Sequence, residues 1–208
     1  LGTDGHAWGG ELLLATYEGF ERLATLRPLR LAGGDEAIRQ VWRIALAALD
    51  DAFEGAPPLD ALALFREVSP RDVSVVRQML AADLRAPRAH GAGRYFDAFG
   101  ALGLGRPRSS YEGQVALEWN LAADEQESGA YPHEVASTEV AEVDLRPTVR
   151  AGVDDLIAGI GAPMVSARFH NTLVAAAAEV VAGAAQEHGP LPVVLTGGCF
   201  QNPRLASV

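Results

Sequence analysis

Apolar residues recur at helical spacing through the middle of the chain and gather into short unbroken runs near its two ends. The glycine-dense stretch Gly2–Gly10 leads into the apolar run Glu11–Tyr17, a turn-and-strand pattern that suits a β-hairpin. Pro28–Gly34 continues the extended character. Asp35 reads as the cap of a helix whose apolar positions Ile38, Val41, Trp42, Ala45 and Leu49 repeat at the α-helical period. Gly55 and Pro57-Pro58 end it. Asp60–Arg66 predicts a short helix, and Ser69-Pro70 followed by Asp72 predicts the start of another, with Val73, Val76 and Leu80 on its buried face. Pro87–Gly93 reads as a loop, Arg94–Leu104 as a helix carrying Phe96, Phe99 and Leu102, and Tyr111–Glu118 as helical again. Ala123–Glu139 has the mixed polar pattern of an exposed connection, and Glu139–Leu145 reads as an imperfect strand. Ser166 is placed as the cap of a long alanine-rich helix running towards His188, stopped by Gly189-Pro190.

The end of the chain carries the sharpest local pattern. Pro192–Leu195 is a β-branched apolar run expected to form a buried strand. It breaks at Gly197-Gly198, and Asn202 followed by Pro203 looks like an N-cap with proline at the first helical position. Strand, glycine pair and helix start present backbone N–H groups that suit phosphate or ribose oxygens. A tight turn without a ligand has the same pattern. With helices dominant and strands towards the ends, a mixed α/β or α+β domain follows.

Composition narrows the partners. The 208 residues suffice for a sizeable core, and 49% hydrophobic with 21% charged residues is ordinary for a globular protein. A net charge of −10 argues against nucleic acid as a partner, because phosphate neutralisation needs clustered Lys and Arg. Cys199 is the one cysteine, so no internal disulfide forms and no thiolate cluster holds a metal. No apolar run is long enough to span a bilayer and no signal peptide opens the chain, so no membrane partner and a cytoplasmic location are expected. Both ends look cut, as in part of a longer polypeptide.

Read singly, the polar candidates have bland explanations. Asp97 suits a solvated helical aspartate, with Arg94 in reach at i,i+3. His170 reads as a hydrogen-bonded core histidine and Cys199 as a small buried filler.

Taken together and in order, the motifs resemble a known family. Asp4-Gly5 with Trp8-Gly-Gly-Glu11 is similar to a "DG..WGGE" turn, and Ala32–Arg43 to "PGGD.A.R..WR", with alanine in place of the proline. Gly93–Leu104 follows "GR.FDA...LGL", Tyr111–Glu118 follows "YEGQ.A.E", Phe169–Thr172 follows "FH.T", and Leu195–Leu205 follows "L.GG.FQN..L". This set resembles the TsaD-like domain of the hydrogenase-maturation carbamoyltransferases, the HypF family, over nearly the whole chain. The resemblance implies an α/β fold of the actin-like (ribonuclease H-like) duplicated kind with a large helical insert, truncated at both ends. It divides one domain fragment into residues 1–34, a glycine-rich hairpin and strand of the first lobe; 35–188, a mainly helical nucleotide-binding region; and 189–208, the strand, glycine pair and helix start of the second lobe.

The same resemblance implies a nucleotide site. Gly9 and Gly10 would lie on a phosphate-facing hairpin, Asp97 and Gly113 near the ribose, and Gly197, Gly198 and Asn202 on the opposite wall, with Glu118 a further nucleotide contact. The implied reaction passes a carbamoyl group from carbamoyl-adenylate, made from carbamoyl phosphate and ATP with Mg²⁺, to the C-terminal cysteine of a HypE-type acceptor protein. The thiol belongs to the partner, and no catalytic residue is assigned in this chain. Rival readings are an O-carbamoyltransferase acting on a small-molecule hydroxyl, a tRNA threonylcarbamoyl-transfer protein, and a non-catalytic nucleotide-binding or docking fragment. The family also implies a divalent metal, zinc or iron, held by two histidines four residues apart and by aspartates. His6, His90, His133, His170 and His188 include no such pair, so no metal ligand is assigned here and the ligands are expected mostly outside the chain.

Overall fold

A computed structural model of the chain describes residue 2 and residues 4–206. Leu1, Thr3, Ser207 and Val208, which fall in the expected opening and closing segments, lie outside the described residues. The predicted hairpin forms from β1 (Glu11–Ala15) and β2 (Phe20–Leu26), antiparallel and closed where Thr16 N donates to Gly19 O. β2 runs from an exposed start at Phe20 to the buried Ala24, Thr25 and Leu26, and so carries the chain into the core.

β3 (Leu29–Arg30) pairs antiparallel with β4 (Arg88–Ala89), which corrects the loop expected at 87–93. β5 (Glu134–Ala136) and β6 (Ala141–Asp144) complete a four-stranded sheet in the order β1-β2-β6-β5, with β2 and β6 parallel. The supposed exposed connection 123–139 therefore holds a strand, and it buries Tyr131.

Helices pack in a cluster beside the strands. The first predicted helix is two: α1 (Asp35–Arg39) and α2 (Trp42–Ala52). Gly34, not Asp35, is the cap of α1. Proline and 3-10 turns lead to α3 (Ala63–Arg66) and α4 (Pro70–Ala81), where Ser69 and Pro70 sit as expected and Val76 and Leu80 are buried. Then follow α5 (Ala92–Leu104), α6 (Gln114–Ala122), α7 (Arg146–Ile157) and α8 (Ala162–His188). Ser166 is not the α8 cap. Gly161 is, with Pro163 in the first turn, and Ser166 lies buried inside the helix with its hydroxyl on the Trp119 carbonyl.

α2 and α5 are buried nearly all round, which is why they are rich in alanine and glycine: helices enclosed by other helices need small residues for close approach. Around them Phe99 stacks on Phe169 with centroids 4.3 Å apart, and Phe96 meets Phe169 edge-on at 5.1 Å. Arg27 ties the sheet to this cluster by ion pairs to Asp51 on α2, 2.8 Å, and to Glu142 on β6, 3.0 Å.

The expected strand at 192–195 is absent. Leu191, Val193, Val194 and Leu195 are exposed and join no sheet, and a β-branched run without a partner strand has no ladder to complete. The glycine pair opens a 3-10 turn, Gly198–Gln201, before α9 (Pro203–Ala206).

Two helical glycines should respond in opposite directions. A Cβ on Gly103 would lie 2.3 Å from the buried Trp119 ring, whereas Gly183 faces open space. Gly103→Val should cost about 1–3 kcal/mol by overpacking, and Gly183→Ala should gain about 0.5–1 kcal/mol from helix propensity. Denaturant unfolding of both variants reads the signs, and equal signs would discount the packing described for α5 and α6.

Candidate functional site

The glycine-rich loop becomes a wall because of one backbone approach. Ala7–Gly10 runs beside Arg88–Ala92: Ala7 N donates to Arg88 O at 3.1 Å, His90 N to Ala7 O at 2.7 Å and Ala92 N to Gly9 O at 3.1 Å. A Cβ on Gly10 would fall 2.4 Å from the His90 carbonyl oxygen, and Gly9 has φ +144°. The pair is therefore glycine for packing and backbone conformation. Its N–H groups are already engaged, donating to Glu11 Oε2 at 2.5 Å from Gly9 and 2.7 Å from Gly10.

This approach leaves a cleft of about 670 Å³ lined by Trp8, Asp35, Arg39, Gly91, Arg94 and Tyr111, among others. Arg94, in the first turn of α5, pairs with Asp97 at 3.0 Å and reaches Glu112 at 3.8 Å. Asp97 is buried, not solvated, and its Oδ2 has no hydrogen bond in good geometry despite the nearby guanidinium. Burial raises its pKa to about 6, against the pull of Arg94 and with some repulsion from Glu112. Gly113, with φ +83°, caps α6 just after Glu112.

The last motif comes to the same end of α5. Cys199 lies in hydrogen-bond reach of the Gly93 N–H, and burial raises its thiol pKa, so it is a protonated filler and not a nucleophile. Gly197, with φ +96°, and Gly198 shape the turn that carries it. Asn202 spends its side chain on capping, its Oδ1 accepting from Arg204 N at 3.0 Å. α9 is a single turn, so the dipole expected there is negligible. Glu118 departs from the rest: it pairs with Arg106 at 3.0 Å and accepts from Gln114. Its contacts hold α6 to the loop after α5.

His170 is the core histidine expected. Its Nδ1 donates to Ser166 O at 2.7 Å, its ring packs edge-on against Phe96, and burial lowers its pKa to about 4. The contact that sequence reading missed joins His6 and His90, 84 residues apart, with Nδ1 of one 3.1 Å from Nε2 of the other. The two-strand approach of the loop creates it, and no local signal announces it.

An α/β fold with a cleft framed by glycine turns defines the class. The chain matches, over residues 1–208, the family described as carbamoyltransferase, Kae1-like domain, second subdomain. It belongs to that family. It is 42% identical to carbamoyltransferase HypF of Rhodobacter capsulatus, covering 100% of this chain and 26% of that protein. It is 38% identical to a carbamoyltransferase HypF homolog of Cupriavidus necator, covering 100% of this chain and 54% of that protein. A crystal structure of full-length HypF in a phosphate- and nucleotide-bound form superposes with a TM-score of 0.89 at 29% identity, over 99% of this chain and 26% of the other. HypF of T. kodakarensis shares the fold, with a TM-score of 0.78 at 24% identity, over 99% and 27% of the two chains. These likenesses bear out the α/β, actin-like fragment expected. This chain spans about a quarter to a half of its curated relatives' length. Among the described residues no helix is long and apolar enough to cross a membrane.

Asp97 and His170 oppose each other in pH. Asp97 has its folded pKa raised from 3.8 to about 6, so its stabilising contribution is complete below pH 4 and is lost as pH rises through 6. His170 has its folded pKa lowered from 6.5 to about 4, so its contribution is complete above pH 6.5 and is lost as pH falls through 4. Each is worth about 3 kcal/mol across that window. Asp97→Asn should therefore become less stable on going from pH 6.5 to 4, and His170→Gln more stable, while the parent stays nearly level. Unfolding free energies measured across that range check this, and identical pH slopes in all three would remove the argument.

Proposed function

We propose that this chain forms part of the nucleotide-holding wall of a carbamoyltransferase that transfers the carbamoyl group of carbamoyl-adenylate to the C-terminal cysteine thiol of a HypE-type acceptor protein. The observation that carries the reading is Asp97. Its buried Oδ2 lies 3.0 Å from Arg94 Nη1 without a hydrogen bond in good geometry, and Arg94 lines the cleft together with Trp8 and Glu112. With a pKa near 6 Asp97 is ionised at neutral pH, and an ionised carboxylate accepts hydrogen bonds from adjacent ribose hydroxyls. The nucleotide- and phosphate-bound state of the similar HypF crystal structure supports a nucleotide as the ligand class.

In this reading Gly9, Gly10, Gly113, Gly197 and Gly198 let three turns approach the ligand, while Asn202 fixes the last of them. Arg94 offers its guanidinium to a phosphate oxygen when Asp97 turns to the ribose. Holding the adenylate fixes its carbonyl for attack, so the contribution is proximity and orientation. The acceptor thiolate adds to the carbamoyl carbon, the C–O bond to phosphate breaks, and AMP leaves with the electron pair. The chain has no pair of histidines four residues apart to hold the metal implied by the family, and no step is assigned to it.

The test is mass spectrometry of the acceptor after incubation with the full-length protein carrying this chain, carbamoyl phosphate, ATP and Mg²⁺. One carbamoyl adduct on the terminal cysteine is expected, with transfer slowed roughly 10- to 100-fold in Asp97→Ala, the loss of a charged hydrogen bond. ATP consumption dependent on carbamoyl phosphate without an adduct would shift the acceptor to a small-molecule hydroxyl.

A further inference from the structure

Three side chains that the nucleotide reading leaves unused gather at the base of the glycine-rich loop. His6 Nδ1 lies 3.1 Å from His90 Nε2, with the ring centroids 5.3 Å apart. Asp4 Oδ2 lies 3.8 Å from the same His6 nitrogen, and ligand atoms of all three residues fall within 4.8 Å of one another. The separation suits a metal. Zinc–nitrogen bonds of about 2.0–2.1 Å in a tetrahedron set neighbouring ligand atoms about 3.3 Å apart.

The tautomer of His90 points the same way. Its Nδ1 is 2.8 Å from the Leu26 carbonyl oxygen, which can only accept, so Nδ1 carries the proton and Nε2 presents its lone pair to His6. A backbone carbonyl holding the far N–H is how metal-binding imidazoles are oriented. His90 is buried, while Asp4 is exposed and His6 partly so, which gives a fixed ligand at the floor and two adjustable ones at the entrance.

We propose that Asp4, His6 and His90 bind one divalent transition-metal ion of the zinc type, with water completing the tetrahedron. Without metal, His6 Nδ1–H donates to His90 Nε2. On binding, His6 moves that proton to its Nε2 and frees Nδ1 as a ligand, so the imidazoles lose no net proton. Arg22 competes at one point, since its Nη1 lies 3.0 Å from Asp4 Oδ2. The ion takes that place, and Arg22 keeps Glu11 at 3.0 Å and Thr25 at 2.6 Å. The bound ion pins the Asp4–Trp8 loop to His90, just past β4, which in turn is bonded to the end of β2 at Leu26 O. The site is distinct from the two histidines four residues apart implied by the family, and it stands whether or not a nucleotide binds.

Equilibrium dialysis of the full-length protein against buffered Zn²⁺, followed by metal analysis, tests it. The wild type should hold one more zinc than His6→Ala, whose mutated side chain is partly exposed and leaves the fold intact by circular dichroism. Asp4→Asn should weaken that zinc about tenfold or more. Co²⁺ loading should give the wild type tetrahedral visible absorption that His6→Ala lacks. Equal zinc content in wild type and His6→Ala, or superimposable Co²⁺ spectra, would overturn the proposal.

Discussion

The approach of Gly10 to the His90 carbonyl holds the glycine-rich loop against the start of α5 and so sets one wall of the candidate site. A hydrogen on Cα fits there, and a methyl group would stand 2.4 Å from a backbone oxygen that cannot turn away without breaking the Ala7–His90 and Gly9–Ala92 hydrogen bonds. With the loop seated, Trp8 is held over the Arg22 guanidinium and bonded to Asp4, so it faces the cleft in a fixed orientation. The same contact sets where α5 begins, and the first turn of α5 carries Arg94 towards Glu112 and Asp97 towards the core. Loop, strand and helix start are thus one mechanical unit built around two glycines.

The core behind that unit explains which buried polar groups are costly. Asp97 and His170 both suffer from burial among the rings and helices packed on α5, and burial favours the uncharged form of each. For His170 the uncharged form is also the form present at neutral pH, and its Nδ1–H is satisfied by Ser166 O. Only the Nε2 acceptor is left without a partner. Asp97 differs, since at neutral pH it holds a charge against its burial with one cation 3.0 Å away that makes no hydrogen bond to it in good geometry. A structural role would be served better by a neutral residue, and that asymmetry singles out Asp97 among the buried polar side chains.

Much of the local structure was legible because it rests on local rules. The hairpin, the Ser69-Pro70 helix start and the α5 helix follow from turn chemistry and periodicity within a few residues. Failures came where tertiary context decides. Ser166 has the residue type of a cap, yet its hydroxyl serves Trp119 O; Gly161 and Pro163 were the true start signal. α7 was not foreseen, although Pro147 in its first turn was available as a signal. Val193 and Val194 have strand propensity and, among the described residues, no neighbouring strand to pair with. The burial of Asp97 was not legible in its local pattern, which gave a solvated aspartate. No pattern could bring His6 to His90, because that contact depends on how the loop lies along β4.

The engagement of Glu11 bears on how readily the glycine-rich loop could take an anion. Two successive backbone N–H groups converging on one oxygen form an anion cradle, and Glu11 Oε2 fills it. A phosphate entering there would have to displace a carboxylate that Arg22 also holds by an ion pair with its other oxygen. In a chain of net charge −10 the exchange would leave Glu11 without its two donors and beside the incoming anion. At Asp97 the facing group is a cation instead: Oδ2 lies 3.0 Å from Arg94 Nη1, outside good hydrogen-bond geometry. The Gly9-Gly10 pair acts by letting the loop lie close.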